Sequence, residues 1–475
     1  MDIRLKKEGI YLLVEKCKRG MGLIFDKKLI RGIRVKGIIS FFNRLMQRYL
    51  PDPFLFVIIL TLVVFGLGLL FTDSSPGDMV QHWGNGFWAL LAFSMQMVLV
   101  LVTGYVLASS AIFKRFLGAL ASTAKSPGSA IIIVTVVSII ASWINWGFGL
   151  VIGALFAKEL AKRVENVDYR LLIASAYSGF LVWHGGFSGS IPLTIATEGH
   201  FSEGLIGVIS TDQTIFSPFN LIILAALFVT LPLLNRFMMP EKDETVTVDP
   251  SLLEDASSLQ AATVERSEMT PAERLENSWI LSLSVSVMGL LFLFFYFADN
   301  GFKLNLDIVN FLFLFLGILF HWRPKNFLES VTNAVKGASG IIIQFPFYAG
   351  IMGMMTLSGL AAVMSEAFVN ISNEQTFHFF TFLSAGIVNF FVPSGGGQWS
   401  VQAPVMLEAA QTMGVSVTRT ALAVAWGDAW TNMIQPFWAL PALAIAGLKA
   451  KDIMGFCVIV LFVSGAIISL AFLLL

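Results

Sequence analysis

Two stretches of this chain carry the same punctuation 249 positions apart, and this limits what it can fold into more than any other feature. Residues 145–192 set against 394–441, without gaps, give eight identities in 48 positions: Gly147/Gly396, Ala154/Ala403, Glu159/Glu408, Ala161/Ala410, Arg170/Arg419, Ala174/Ala423, Ala176/Ala425 and Pro192/Pro441. Each copy opens on a Gly-rich interruption, Asn145–Gly149 or Pro393–Gln398. Further along, each has an apolar segment broken by polar residues, Gly or Pro, at Trp183–Ser190 and Thr431–Phe437. Paired interrupted segments in corresponding halves of a membrane protein point to the binding site of a secondary transporter.

Composition places the chain in a membrane. It is 56% hydrophobic and 13% charged, with mean hydropathy +0.77, against about 25% charged for soluble proteins. Apolar stretches of spanning length occur at 54–72, 86–110, 214–235, 278–298, 304–321 and 452–475. Cys17 and Cys457 have no partner spacing, so neither a disulfide framework nor a metal site is indicated. Nothing suggests a nucleic-acid partner.

The basic residues set an expected topology, because they stay on the cytoplasmic side. The N-terminus, the stretch around Lys114–Lys125, the stretch from Lys158 to Arg170, and the ends carrying Arg236, Arg323 and Lys449 fall inside. Segments 73–85, 198–213 and 359–375 lack Lys and Arg and fall outside as loops. Two segments then enter and leave on one face: re-entrant hairpins at 129–163 and 376–412. Crossings at 169–197, 334–358 and 418–446 complete a count of nine, with the N-terminus cytoplasmic and the C-terminus periplasmic. The unpaired helix 278–298 flips the second copy, so the repeat is inverted. The expected fold is an all-α polytopic membrane protein with an inverted structural repeat, two re-entrant hairpins and two interrupted transmembrane helices.

Four regions follow. Residues 1–48 read as a basic amphipathic leader on the membrane surface. The first repeat is 49–236, and 237–277 is a polar cytoplasmic linker with a short helix at Pro271–Arg274. Residues 278–475 hold the second repeat and one extra helix.

Backbone that leaves helical geometry at membrane depth must be buried in protein or line a cavity. Half-helices that start there aim N–H groups and positive dipole ends at a carboxylate; those that end there offer carbonyls to a cation. The expected substrate contacts are therefore Asn145, Gly147, Gly149, Gly186, Ser188, Ser190, Ser394, Gly395, Gly396, Gln398, Thr431, Asn432 and Gln435. A Na⁺ would sit near Asn145, Ser188, Ser394 and Asn432. Asp428, deep in 418–446, is expensive in a membrane and is the first choice for ion coupling, with His184 second. For any one of these residues the competing account is helix packing by small or hydrogen-bonding side chains; for Asp428 it is bracing of the broken helix. No Arg lies deep in a span, so the site suits one negative charge rather than two. Trp143, Trp146, Trp183, Trp399, Trp430 and Trp438 crowd the same regions and offer contact to a short apolar tail, interfacial belts being the alternative.

At these residues the chain resembles the bacterial short-chain fatty acid transporter family, the acetoacetate and butyrate permeases. The strings that carry the resemblance run from about residue 40 onward: Leu50-Pro-Asp-Pro53, Trp83-Gly-Asn-Gly-Phe-Trp88, Asn145-Trp-Gly-Phe-Gly-Leu150, Gly185-Gly-Phe-Ser-Gly-Ser190, Gln344-Phe-Pro-Phe-Tyr-Ala-Gly350, Val392-Pro-Ser-Gly-Gly-Gly397 and Gln435-Pro-Phe-Trp-Ala-Leu-Pro441. The resemblance implies inner-membrane uptake of a short monocarboxylate coupled to H⁺ or Na⁺, no cofactor, and a homodimer of the ion-transporter superfamily type. It also implies an acid at position 428, which Asp428 supplies. The leader is longer than is usual in such proteins. Transport of amino acids or dicarboxylates on the same fold is the alternative. A channel would want a continuous polar pore, and a membrane enzyme a nucleophile–base pair or metal cluster that five scattered His and two distant Cys do not provide.

Overall fold

The computed structural model describes residues 53–241, 243–253, 269–390 and 392–475. The amphipathic leader 1–48 and most of the polar linker, 254–268, lie outside the described residues, so those two readings stay as expectations. Within the described residues every regular element is a helix. In chain order they are α1 (Pro53–Phe71), α2 (Pro76–Gly86), α3 (Leu91–Ser109), α4 (Ala111–Ala121), α5 (Pro127–Ile144), α6 (Trp146–Arg163), α7 (Tyr169–Ser178) with a 3₁₀ extension Gly179–Gly185, α8 (Ser190–Ile195), α9 (Glu203–Ile206) and α10 (Pro218–Phe237). After the linker come α11 (Pro271–Glu276), α12 (Trp279–Asn300), α13 (Leu306–His321), α14 (Pro324–Val335), α15 (Ser339–Leu357), α16 (Leu360–Ile371), α17 (Phe377–Val388), α18 (Gly395–Met413), α19 (Val417–Thr431) with a 3₁₀ extension Asn432–Ile434, α20 (Pro436–Ala446) and α21 (Ala450–Leu474).

Local chemistry fixes most of the starts. Ser75, Ser126 and Thr270 each accept from the backbone three residues on and are answered by that residue's side chain, with Pro at the next position. This reciprocal cap satisfies donors that a helix leaves open and uses the ring's fixed φ. Gly414 and Gly447, at φ 69° and 70°, end α18 and α20 in the left-handed region, where a side chain would be strained.

The helix order of the first half recurs in the second. Leu91–Ser109 and Ser339–Leu357, Ala111–Ala121 and Leu360–Ile371, and Trp146–Arg163 and Gly395–Met413 start 248 or 249 positions apart. The caps recur too: Asn145 Oδ1 accepts from Phe148 N at 2.9 Å, and Ser394 Oγ from Gly397 N at 3.4 Å. α12 has no counterpart among the described residues. The loop 196–217 has none either, which brings α21 closer to α20 in sequence than α10 is to α8.

Seven helical stretches among the described residues are long and apolar enough to cross a membrane: Phe54–Phe71, Leu91–Ser109, Pro127–Ile144, Pro218–Phe237, Trp279–Asn300, Pro324–Leu357 and Ala450–Leu474. Stretches 169–197 and 418–446 are built from short pieces, and 304–321 contains one helix of 16 residues, Leu306–His321. Three stretches read as loops or as part of a span differ. Segment 73–85 holds α2, 359–375 holds α16, and the start of 334–358 completes the amphipathic α14. Their polar residues sit on one helix face, a pattern that counting Lys and Arg does not see.

α5 and α6 pack against each other as a hairpin joined at Asn145, and α6 also packs on α3 and α20. α18, from the second hairpin, packs on α15 and α8. So each hairpin's second arm meets the final piece of the other half's broken helix. Close approach rests on small residues. A methyl added to Gly153 would stand 2.7 Å from Ser138 Oγ, and one added to Gly427 would run into the Phe382 carbonyl. Outside this core α1 and α12 leave apolar side chains such as Leu62, Met288 and Phe294 exposed, as lipid-facing helices do.

Candidate functional site

Where the two hairpin tips meet, a cavity of about 370 Å³ opens. Trp146, Gly147, Leu150 and Val151 come from α6, and Pro393, Ser394, Gly395 and Gly396 from the start of α18. Trp183 and Ser190 come from the first broken helix, and Trp438, Leu440 and Pro441 from the second. Met97, Leu101 and Tyr105 of α3, with Asn333 through Phe345 of α14 and α15, close the opposite wall. Among the described residues no Asp, Glu, Lys, Arg or His lines it.

The polar groups on the hairpin side are backbone donors. The first N–H groups of a helix have no partner within it. At α6, Trp146 N–H is taken by Ser188 Oγ at 2.8 Å and Phe148 N–H by Asn145. At α18, Gly397 N–H is taken by Ser394. Gly147, Gly395 and Gly396 keep N–H groups without a partner among the described residues. Gly147 and Gly396 stand at equivalent places in the two halves, and both line the cavity. Two positive helix ends therefore converge on one uncharged space.

Three tryptophans cluster in the wall beside them. Trp146 meets Trp438 edge-on with ring centroids 5.5 Å apart, and Trp183 lies 6.0 Å from each. Trp183 donates to Asn432 Oδ1 at 3.0 Å, which fixes its indole. Rings so held present a flat apolar face to a short chain.

Of the polar and glycine contacts expected from the sequence, Gly147, Ser190, Ser394, Gly395 and Gly396 line the cavity and the others do not; of the six tryptophans, Trp146, Trp183 and Trp438 line it. Asn145 is spent on its cap, and its Nδ2 points to the Val100 carbonyl. Gly149 is pressed against Ser142, and Gly186 against the Trp143 carbonyl. Ser188 holds the hairpin tip through Trp146 N. His184 sits behind Ser190, with Nε2 3.2 Å from Ser190 Oγ and Nδ1 2.8 Å from the Ala425 carbonyl. Thr431, Asn432, Gln435 and Gln398 are buried behind the second tip.

That second tip is tied by Asn389, a residue the sequence did not single out. Its Nδ2 donates to the Asp428 carbonyl at 2.8 Å and to Thr431 Oγ1 at 2.9 Å, while its own carbonyl accepts from Gln435 Nε2. Asp428 is fully buried, and neither carboxyl oxygen has a hydrogen-bond partner among the described residues. Asn432, one turn on, approaches that carboxyl without reaching hydrogen-bond geometry. The α3 and α14–α15 wall also went unread. Gln344, a polar residue inside an apolar span, was the available signal.

Residues 34–475 match the short chain fatty acid transporter family. A protein of Escherichia coli (strain K12), named as a candidate short-chain fatty acid transporter, is 47% identical over 430 residues, covering 90% of this chain and 97% of its own length. One of Haemophilus influenzae (strain ATCC 51907 / DSM 11121 / KW20 / Rd), named likewise, is 44% identical over 430 residues, covering 89% and 96%. The crystal structure of the Alcanivorax borkumensis YdaH transporter, described as having an unusual topology, superposes with a TM-score of 0.58 at 14% identity over 89% of this chain and 97% of that one. The matching family and both relatives are transporters, not enzymes. This chain belongs to the short chain fatty acid transporter family.

Proposed function

We propose that this protein takes up short-chain monocarboxylates such as butyrate and acetoacetate across the bacterial inner membrane, by symport with H⁺ or Na⁺ and alternating access. One observation carries this reading: Gly147 and Gly396, at two helix starts and with open N–H groups, line one cavity that has no charged side chain among the described residues. Helix N-termini hold a carboxylate without a counter-cation, and the Trp146–Trp183–Trp438 wall takes the alkyl end. A dicarboxylate lacks an Arg clamp here, and an amino acid's ammonium lacks an acid.

In this reading the two hairpins are re-entrant, the recurring halves are inverted, the N-terminus is cytoplasmic and the C-terminus periplasmic, and two copies form a dimer. Asp428 couples the ion. Uptake of labelled butyrate into proteoliposomes, under an imposed pH gradient and separately under a Na⁺ gradient, tests the proposal. Concentration of the label under one gradient supports it. A failure to concentrate under both, with the label free to exchange, removes symport.

A further inference from the structure

Gln344 sits in the apolar helix α15, on the cavity wall opposite the hairpin tips. A carboxamide in an apolar span is costly unless its donors and its acceptor are met. Here only the acceptor is. Tyr348, four residues on and on the same helix face, places its hydroxyl 3.1 Å from Gln344 Oε1. Tyr348 is fully buried and has no other hydrogen-bond partner among the described residues. Its O–H therefore donates and Oε1 accepts; with the amide turned over, that buried hydrogen would have no acceptor. The tyrosine thus decides which way the amide is set. Its ring is held in turn by the second tip, since a methyl added to Gly397 would stand 2.6 Å from Tyr348 Cδ2.

Gln344 Nε2 is left with two N–H donors and no partner among the described residues. It is not one of the unpartnered side-chain nitrogens closed off from solvent. The residue is buried but for 7% of its surface and lines the cavity, so this donor is open to the same space as the N–H groups of Gly147 and Gly396.

We propose that Gln344 is a specificity-determining residue: its Nε2 donates to a second oxygen on the substrate's carbon chain while the two helix starts hold the carboxylate. The site then takes short monocarboxylates that carry an oxo or hydroxyl oxygen in preference to plain alkyl acids. A plain chain leaves the amide donor desolvated without an acceptor, and a site built around such a donor rejects the analogue that cannot answer it. A neutral amide brings no charge, so it suits a ketone or an alcohol rather than a second carboxylate. Tyr348 is the positioning residue, acting through the amide it orients.

This rests on the uptake reading and names the substrate class within it. The test measures apparent affinities in counterflow, with the full chain in proteoliposomes, for acetoacetate, 3-hydroxybutyrate, butyrate and 3-methylbutanoate. The last has the outline of acetoacetate with a methyl where the oxo oxygen stands, so it separates hydrogen bonding from size. The wild type should prefer the two oxygenated acids over the two plain ones by about tenfold or more. Gln344→Met keeps side-chain length and removes the donor; it should bring that ratio close to one with butyrate bound no more weakly. Tyr348→Phe frees the amide to turn over and should lower the ratio as well, which a mere packing role for Gln344 would not produce. If Gln344→Met fails to fold, the ratio in Tyr348→Phe decides: a fall supports the proposal and an unchanged ratio overturns it. Equal affinities in the wild type, an unchanged ratio in folded Gln344→Met, or an equal loss for all four acids also overturns it. Transport of none of the four sinks the uptake reading and this proposal with it, whereas transport of all four without preference removes this proposal alone.

Discussion

Trp183 and Asn432 stand 249 positions apart and are joined by a 3.0 Å hydrogen bond from the indole Nε1–H to the amide oxygen. They occupy equivalent places in the two recurring halves, so the two helix breaks touch where each meets its counterpart. The Tyr177 hydroxyl donates to the Asn432 carbonyl at 2.6 Å and strengthens the same junction. The cavity lies against this junction, with Trp183 in its wall.

Trp183→Phe should therefore cost stability as well as function. It leaves Asn432 Oδ1 buried without a donor, a penalty of about 1–3 kcal/mol. The expected outcome is a lower midpoint of thermal unfolding in detergent, with weaker apparent affinity for butyrate. An unchanged midpoint would mean that the bond does not brace the junction.

Gly395→Ala and Gly396→Val should reduce uptake at least tenfold with normal amounts of protein in the membrane. A methyl at 395 runs into the His184 ring and stands 2.8 Å from Trp183, and one at 396 stands 2.6 Å from Phe93. Neither glycine has positive φ, so the demand is for space and for ligand approach, not for a special backbone conformation. Initial uptake rates per unit of immunodetected protein check this.

Asp428→Asn separates three roles. If the carboxyl carries the proton, uptake driven by a pH gradient is lost and exchange survives. If it serves Na⁺, the apparent Na⁺ affinity falls by at least about 1 kcal/mol, since a charge is removed. If it braces the helix, unfolding temperature drops and transport per folded molecule is unchanged. The account expects one of the first two. Concentrative uptake at the wild-type rate by well-folded Asp428→Asn protein would remove it from coupling.

Topology is checked by single cysteines. His200→Cys and Glu366→Cys should react with an impermeant thiol reagent in intact cells, and Asp255→Cys should not. Labelling at 255 would contradict the inverted arrangement.

The breaks were legible because glycine, proline and polar residues recur together inside apolar runs at equivalent places in both halves; α5 and α6 are joined at Asn145, and α17 and α18 on either side of residues 389–394. What stayed hidden depends on which face a residue takes. Asn145 and Ser394 look like ligands in the sequence, yet both act as helix caps, and only Ser394 also lines the cavity. Asn389 lies four residues before the Gly-rich interruption Pro393–Gln398 and carries no motif of its own; its weight comes from four hydrogen bonds made after folding. Apart from Tyr105 and Gln344, the wall from α3 and α15 is apolar in apolar spans, so its cavity-lining residues do not differ in kind from their neighbours.

Counterflow in proteoliposomes preloaded with unlabelled butyrate tests the central claim most directly, that two helix N-termini in an uncharged cavity hold a single carboxylate. Labelled butyrate is offered outside at low concentration with competing acids in excess. The account predicts transient accumulation of label that acetoacetate suppresses and that succinate and neutral amino acids leave intact. The same trace should vanish in Gly396→Val. Suppression by succinate as strong as by acetoacetate, or full counterflow in Gly396→Val, would contradict it.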